Sequence, residues 1–191
     1  MTIDTHHMDR TLHVALNDDL AMPRLGFDYV DLYLIHWPTP ARDLYVETWE
    51  ALIECRREGR ARSIGVSNFE IEHLERIIDA TGVVPAVNQV ELHPRLQQSE
   101  LRRFHSEHGI ATEAWSPLAK GDVLHDPAIT GLAPRYDRTP AQIVLRWHLQ
   151  LGNVVIPKSV TPSRIEENFD LFGFTLAEEE MESLTDRKSV V

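Results

Sequence analysis

Five short apolar runs alternate with segments of helical periodicity, and this alternation most limits the folds open to the chain. The runs are rich in Val, Leu and Ile, as the strands of buried parallel sheets are. Strands that alternate with helices predict an α/β protein. The runs are VDLYLIHW (30–37), ARSIGVSNF (61–69), PAVNQVELHP (85–94), ATEAWSPL (111–118) and NVVIPKS (153–159).

Apolar residues in the intervening segments recur at helical spacing. Tyr45, Trp49 and Leu52 form one stripe within residues 43–59. Thr139, followed by a proline and by Gln142 three residues on, predicts a capping box at the start of another helix. Further helices are predicted over 70–82, 99–109, 161–172 and 176–188, and a longer loop reaches to about residue 138.

The length of the chain suits five strand-helix units. A closed barrel of eight such units typically needs ~250 residues, with ~200 at the low end. Beyond residue 26, about 165 of the 191 residues remain. We therefore expect an incomplete barrel over 27–191, preceded by a leader and a β-hairpin over 1–26.

Composition narrows the class of protein. The formal net charge of -11 argues against nucleic acid as a partner, because phosphate backbones need clustered Lys and Arg. Cys55 is the only cysteine and lies in a helical pattern, which favours a core thiol. No signal peptide and no membrane-length apolar run is present, so a cytoplasmic protein is expected.

The sequence contains few residues arranged as metal ligands. The candidate ligands His6, His7 and His13 lie in a polar leader, without cysteines and without the spacing of a metal site. We predict no metal site.

Polar or aromatic residues end each predicted strand. Chemistry in parallel α/β proteins lies at the carboxyl ends of strands, so these residues predict a functional mouth. Ordinary polar loops are the alternative. The strand ends are 36–37, 67–68, 89–93, 115–116 and 158–159.

The stretch IPKSVTPSRIEEN (156–168) predicts a phosphate site. Lys158 and Ser159 end a strand, and a helix begins at Thr161. A helix N-terminus offers free N–H groups to an anion, and the Arg164 guanidinium could bind the same phosphate. Glu167 and Asn168 could contact a purine amine. An ordinary cap with surface charges is the alternative.

Six motifs in order resemble those of the aldo-keto reductases, close to the bacterial 2,5-diketo-gluconate reductase branch. The similarity covers almost all of residues 11 to 186 and implies an incomplete (β/α)8 TIM barrel with an N-terminal hairpin. The motifs are LNDDLAMPRLG (16–26), DYVDLYLIHWP (28–38), GVSNF (65–69), VNQVELHP (87–94), WSPL (115–118) and IPKSVTPSRIEEN (156–168).

The resemblance implies an extended NADP(H) across the mouth and a small carbonyl substrate. His36 matches the histidine that orients the carbonyl, and Trp37 matches a wall of the substrate pocket. The remaining matches are Ser67, Asn68 and Gln89 for the nicotinamide carboxamide, Trp115 for stacking on the ring, Ser116 and Leu118 for the pyrophosphate, Lys158, Ser159, Val160 and Arg164 for the 2′-phosphate, and Glu167 and Asn168 for adenine.

Three of the four catalytic groups of that family have no counterpart here. The acid tyrosine, its lysine and the aspartate lie on D-T-A-x-x-Y and T-K-x-W motifs, and this sequence contains neither. Only His36 matches. The resemblance implies NADPH-dependent reduction of aldehydes, ketones or keto-sugars, impaired by this loss. The alternative, which we favour for this polypeptide, is a catalytically inert NADP-binding or non-functional fragment.

The missing motifs would stand between the hairpin and the strand at 30–37. We therefore predict an internal deletion with its seam at Gly26-Phe27, since Leu25-Gly26-Phe27 fits either side of the join. An incomplete barrel also has two open sheet edges, one at each terminal strand. Exposed edges pair with other chains, so we expect self-association.

Overall fold

The computed structural model of the chain describes residues 29–185. The predicted leader and hairpin, the seam at Gly26-Phe27 and the histidines His6, His7 and His13 lie outside the described residues. The deletion and the domain boundary at residue 26 therefore stay predictions. Within the described range, no helix is long and apolar enough to cross a membrane.

Five parallel strands form one sheet in the order of the sequence, as predicted. Each neighbouring pair is connected through a helical segment, the connection that parallel strands need. Within residues 29–185 the sheet is open, because the first and last strands each have one neighbour. The strands are β1 Val30–Ile35, β2 Ala61–Ser67, β3 Val87–Glu91, β4 Ala111–Trp115 and β5 Val154–Val155.

The helices cover one face of the sheet. The stripe predicted in the first helix is buried, with Trp49 fully so, and Cys55 lies in the same core. The predicted capping box at Thr139 is present. The helices are α1 Tyr45–Arg57, α2 Ile71–Thr81, α3 Ser99–His108, α4 Pro127–Leu132, α5 Pro140–Gln150, α6 Pro162–Phe169 and α7 Glu178–Thr185, with 3₁₀ segments at Pro40–Arg42, Ala119–His125 and Ala133–Arg135.

Alternate residues of each strand point to opposite faces of the sheet. Asn88 and Thr112 face the helices, since both contact His105 of α3. Their neighbours Gln89 and Glu113 therefore lie on the other face, which we call the inner face. No helix covers the inner face within the described residues, and Leu32 (41% exposed) and Val154 (51%) are accessible.

Two sequence predictions were wrong in detail. The stretch before residue 138, predicted as a loop, contains α4, whose start is capped by Asp126 accepting from the Ala128 N–H. The Asp-Pro pair there is itself a helix-start signal. The strand predicted over 153–159 is only two residues long. Ile156 N–H still bonds to the Ala114 carbonyl, but Pro157 has no N–H to continue the ladder.

Candidate functional site

Four residues from three central strand ends are joined by hydrogen bonds at the carboxyl edge of the sheet. We call Ser67, Asn68, Gln89 and Trp115 the central cluster. The Gln89 carbonyl accepts from the Ser67 hydroxyl (2.8 Å) and from the Asn68 N–H (2.9 Å). These bonds fix the end of β2 against β3, so backbone register places the predicted nicotinamide residues together.

Asn68 links the cluster to both of its neighbours. Its Nδ2 donates to the His36 carbonyl (3.0 Å) and to Ser67 Oγ (3.1 Å), and its Oδ1 accepts from Trp115 Nε1 (2.9 Å). The backbone of Asn68 is left-handed, with φ of 60°, a conformation that asparagine tolerates better than most residues. The turn thus holds the amide between β1 and β4 and fixes the edge of the half-buried indole.

The side chain of Gln89 extends along the inner face. Its Nε2 donates to Glu113 Oε1 at 3.1 Å, and the two residues stand directly opposite in the register of β3 and β4. Within residues 29–185, Gln89 Oε1 makes no hydrogen bond. This oxygen is therefore an available acceptor on the inner face of the sheet.

A buried histidine holds the loop that follows Trp115. Ser116, Ala119 and Lys120 all have positive φ, which is unusual for residues with a Cβ atom. Pro117 between them accepts from His148 Nε2 (3.2 Å), and His148 Nδ1 lies 3.3 Å from Asn153 Nδ2. A carbonyl cannot donate, so Nε2 carries the proton. Burial lowers the pKa of His148 to about 4, so the ring is neutral at pH 7.

The residues predicted to bind phosphate lie at the open edge, in what we call the edge segment (156–168). The side chains of Lys158 and Arg164 are exposed, and within the described residues neither makes a hydrogen bond or an ion pair. Val160 is 88% exposed. Ser159 Oγ accepts from the Thr161 N–H (3.2 Å), which turns the chain into α6.

Helix α6 is attached through its carboxyl end. None of its residues is buried. Gln142 of α5 donates from Nε2 to the carbonyls of Glu167 (3.1 Å) and Asp170 (3.0 Å), and Arg146 donates to the carbonyl of Leu171 (3.1 Å). The N-terminal turn has no such anchor among the described residues, so its N–H groups face solvent beside Arg164.

His36 and Trp37 stand at the end of β1. Both are exposed, with Trp37 at 54%, and their rings make an edge contact with centroids 6.3 Å apart. None of the four described tyrosines is suited to be an acid here. Tyr29 is exposed, but it precedes β1 and so lies at the opposite end of that strand from His36. Tyr33 is half-buried, and burial, reinforced by Cys55, raises its pKa to about 12. Tyr45 is in the core, and Tyr136 donates to Glu180.

The aldo/keto reductase family profile matches residues 17–188 of the chain. The chain belongs to the aldo/keto reductase family. It is 59% identical over 167 residues to an aldo-keto reductase of Mycobacterium sp. (strain KMS), covering 87% of this chain and 60% of that protein. It is 54% identical over 180 residues to methylglyoxal reductase DkgA of Escherichia coli O157:H7, covering 93% and 64%.

Solved structures of the family share the fold. A crystal structure of a Gox0644 variant in complex with NADPH superposes with a TM-score of 0.83 at 60% identity, covering 84% of this chain and 59% of that one. The aldo/keto reductase of Brucella melitensis gives a TM-score of 0.80 at 56% identity. The chain thus spans about three fifths of the length of the family members it matches.

Two residues at this candidate site were not among the sequence predictions. Glu113 precedes Trp115 by two positions, and the period of a strand puts both on one face. His148 is a polar residue of the helix predicted to begin after Thr139, and it is fully buried. Strand period could have found Glu113, but only tertiary contacts show that His148 supports the loop after Trp115.

Proposed function

We propose that this chain binds NADP(H) through its inner-face carboxyl edge and reduces carbonyl compounds slowly or not at all. The observation that carries the proposal is the hydrogen-bonded central cluster, in which Gln89 Oε1 is an available acceptor and Asn68 fixes the indole of Trp115. A nicotinamide ring offers a flat surface for stacking and a carboxamide NH₂ donor. The NADPH complex of Gox0644, 60% identical, is consistent with this assignment.

The edge segment fits the other end of the cofactor. Lys158 and Arg164 are cations that no described acidic side chain neutralises, and the N-terminus of α6 lies between them in sequence. Both features would stabilise a bound phosphate. We propose that Lys158, Ser159, Val160 and Arg164 hold the 2′-phosphate, which predicts a preference for NADP(H) over NAD(H). Ser116 and Leu118 would adjoin the pyrophosphate, and Glu167 and Asn168 the adenine.

Proton supply limits any reaction. The cofactor, when bound, supplies a hydride to the carbonyl carbon, and the oxygen then needs a proton. This sequence holds no counterpart of the family's acid tyrosine, lysine or aspartate. Loss of a general acid typically lowers a rate by ~10²–10⁴. We therefore propose a catalytically inert NADP-binding chain.

Slow reduction is the second candidate function. His36 is exposed at the same edge as the central cluster, and its carbonyl is bonded to Asn68. A small dicarbonyl could hydrogen-bond to this imidazole beside Trp37. The name of the related methylglyoxal reductase suggests methylglyoxal as the first substrate to assay.

We also propose that the chain self-associates and resides in the cytoplasm. Among the described residues, the terminal strands β1 and β5 each have one neighbour, and they expose Leu32 (41%) and Val154 (51%). A second copy of the chain could cover these edges. Sedimentation velocity at increasing concentration would then show a growing oligomer fraction, and a single monomer species at all concentrations would contradict it.

The function is tested by separating binding from turnover. NADPH and NADH are titrated by calorimetry, and methylglyoxal reduction is followed by NADPH absorbance. Trp115→Leu tests the stacking residue, and Trp37→Leu is the matched control for NADPH binding, because Trp37 is exposed outside the central cluster. Binding of NADPH that requires Trp115, without turnover, supports the inert chain. Turnover that requires His36 supports the second candidate, and absence of binding overturns both.

A further inference from the structure

The amide of Gln89 has a defined orientation because of the group it faces. A carboxylate only accepts hydrogen bonds, whereas an amide has a donor end and an acceptor end of similar shape. The atom of Gln89 that faces Glu113 Oε1 at 3.1 Å must therefore be Nε2. It follows that Oε1 points away from Glu113.

Glu113 is free to perform this role. It is half-buried, and among residues 29–185 its carboxylate forms no ion pair and no hydrogen bond other than the one with Gln89. Register places the two residues opposite each other, and Trp115 follows two positions along the same face. The contact is therefore built into the pairing of β3 and β4.

The acceptor oxygens of the other two residues predicted to contact the carboxamide already accept hydrogen bonds. Asn68 Oδ1 already accepts from Trp115, and Ser67 Oγ already accepts from Asn68 Nδ2. Gln89 Oε1 is the one amide or hydroxyl oxygen of the central cluster that no hydrogen bond within the described range uses. Its direction decides which group of a bound ring it can recognise.

We propose that Glu113 is a positioning residue, which orients the Gln89 amide so that Oε1 accepts from the NH₂ of the nicotinamide carboxamide. This inference rests on the proposed binding of NADP(H). It predicts that the chain discriminates between a carboxamide and an acetyl group on the pyridine ring, because acetyl has no N–H to donate. Without Glu113, Gln89 can rotate and donate to either carbonyl instead.

The test compares NADP⁺ with its 3-acetylpyridine analogue by calorimetry. We expect the wild-type chain to bind NADP⁺ about 3–10-fold more tightly, the range of one hydrogen bond. Glu113→Leu removes the acceptor, and Glu113→Asp keeps the charge but shortens the reach. Both should lower the ratio of the two dissociation constants to below about 2. Glu113→Gln presents an N–H donor as well as an acceptor, so Gln89 can take either orientation, and the ratio should fall to a value between those of the wild type and of Glu113→Leu.

Adenosine 2′,5′-bisphosphate, which has no pyridine ring, separates the possible failures. Its affinity should be equal in all four proteins, which also shows that each variant is folded. If the wild-type chain binds neither NADP⁺ nor this compound, the proposed function fails and the role of Glu113 with it. If NADP⁺ binds but Glu113→Leu and Glu113→Asp leave the ratio unchanged, the role of Glu113 alone is overturned.

Discussion

The central cluster and the edge segment differ in how their residues are held. In the central cluster, each side chain is bonded to a neighbouring strand end, and the indole of Trp115 is fixed by Asn68. In the edge segment, Lys158 extends into solvent from irregular chain after a two-residue strand, and Arg164 extends from a helix with no buried residue. The side chains of the site are thus held in a fixed geometry where a strand flanks them on both sides. In an open sheet, only the central strands have two such neighbours.

The largest expected effect is a loss of folding stability at low pH, caused by the buried histidines that pack beneath the central cluster. Burial lowers the pKa of both His105 and His148 to about 4, whereas an unfolded histidine titrates near 6.5. The unfolded chain therefore binds protons first, and stability is lost as pH falls from about 6.5 to 4. Each histidine contributes at most about 3 kcal/mol. Urea unfolding across this pH range measures the loss.

A matched pair of variants assigns that loss. His148→Gln can still donate to the Pro117 carbonyl but does not titrate, so its stability should fall less steeply with acid. His36→Gln is exposed and should keep the wild-type slope. Equal slopes in all three proteins would show that His148 does not drive the transition.

The second effect is on the turn that carries Asn68. Asn88 is fully buried and donates from Nδ2 to the Phe69 carbonyl (2.8 Å), while its Oδ1 accepts from the Phe69 N–H (3.4 Å). Asn88→Ala leaves these backbone groups buried without partners, so we expect a loss of about 2–4 kcal/mol in the free energy of unfolding. Asn168→Ala in the edge segment should change it by less than about 0.5 kcal/mol. Equal losses of unfolding free energy in the two variants would show that side chains are held as firmly in the edge segment as beneath the central cluster.

The third effect is on cofactor binding, and it tests whether the edge segment contacts the 2′-phosphate. Arg164→Ala should weaken NADP⁺ about tenfold, because a charge-assisted hydrogen bond to phosphate is lost at an exposed site. NAD⁺, which lacks the 2′-phosphate, should be unaffected. Arg62→Ala is the control, because Arg62 pairs with Asp31 far from the edge segment in the sheet order. Weaker NAD⁺ binding in Arg164→Ala would place that residue elsewhere on the cofactor.

The smallest effect concerns the apolar residues of the open edge. Val160 is 88% and Phe169 75% exposed, so Val160→Thr and Phe169→Ser should each change the free energy of unfolding by less than about 0.5 kcal/mol. The measurement is urea unfolding at low protein concentration. A loss above about 1 kcal/mol that grows with concentration would show that a second copy covers this edge.

Strand and helix order follow from local pattern. The five strands, the stripe at Tyr45 and Trp49 and the capping box at Thr139 appear where periodicity and capping residues predict them. The segment before residue 138 was predicted less well, because its apolar residues lack a regular period and its helix is only six residues long. The last strand was predicted too long because its ladder stops at Pro157.

The sequence alone determined the family and the parallel sheet, and it predicted most residues of the candidate site, because strand ends and motifs are local in the chain. Tertiary structure alone decided how those residues are joined. The bonds of Asn68 to His36 and Trp115, of Gln89 to Glu113 and of His148 to Pro117 connect residues at least 24 positions apart. Strand register sets such contacts, and register depends on the packing of the whole sheet.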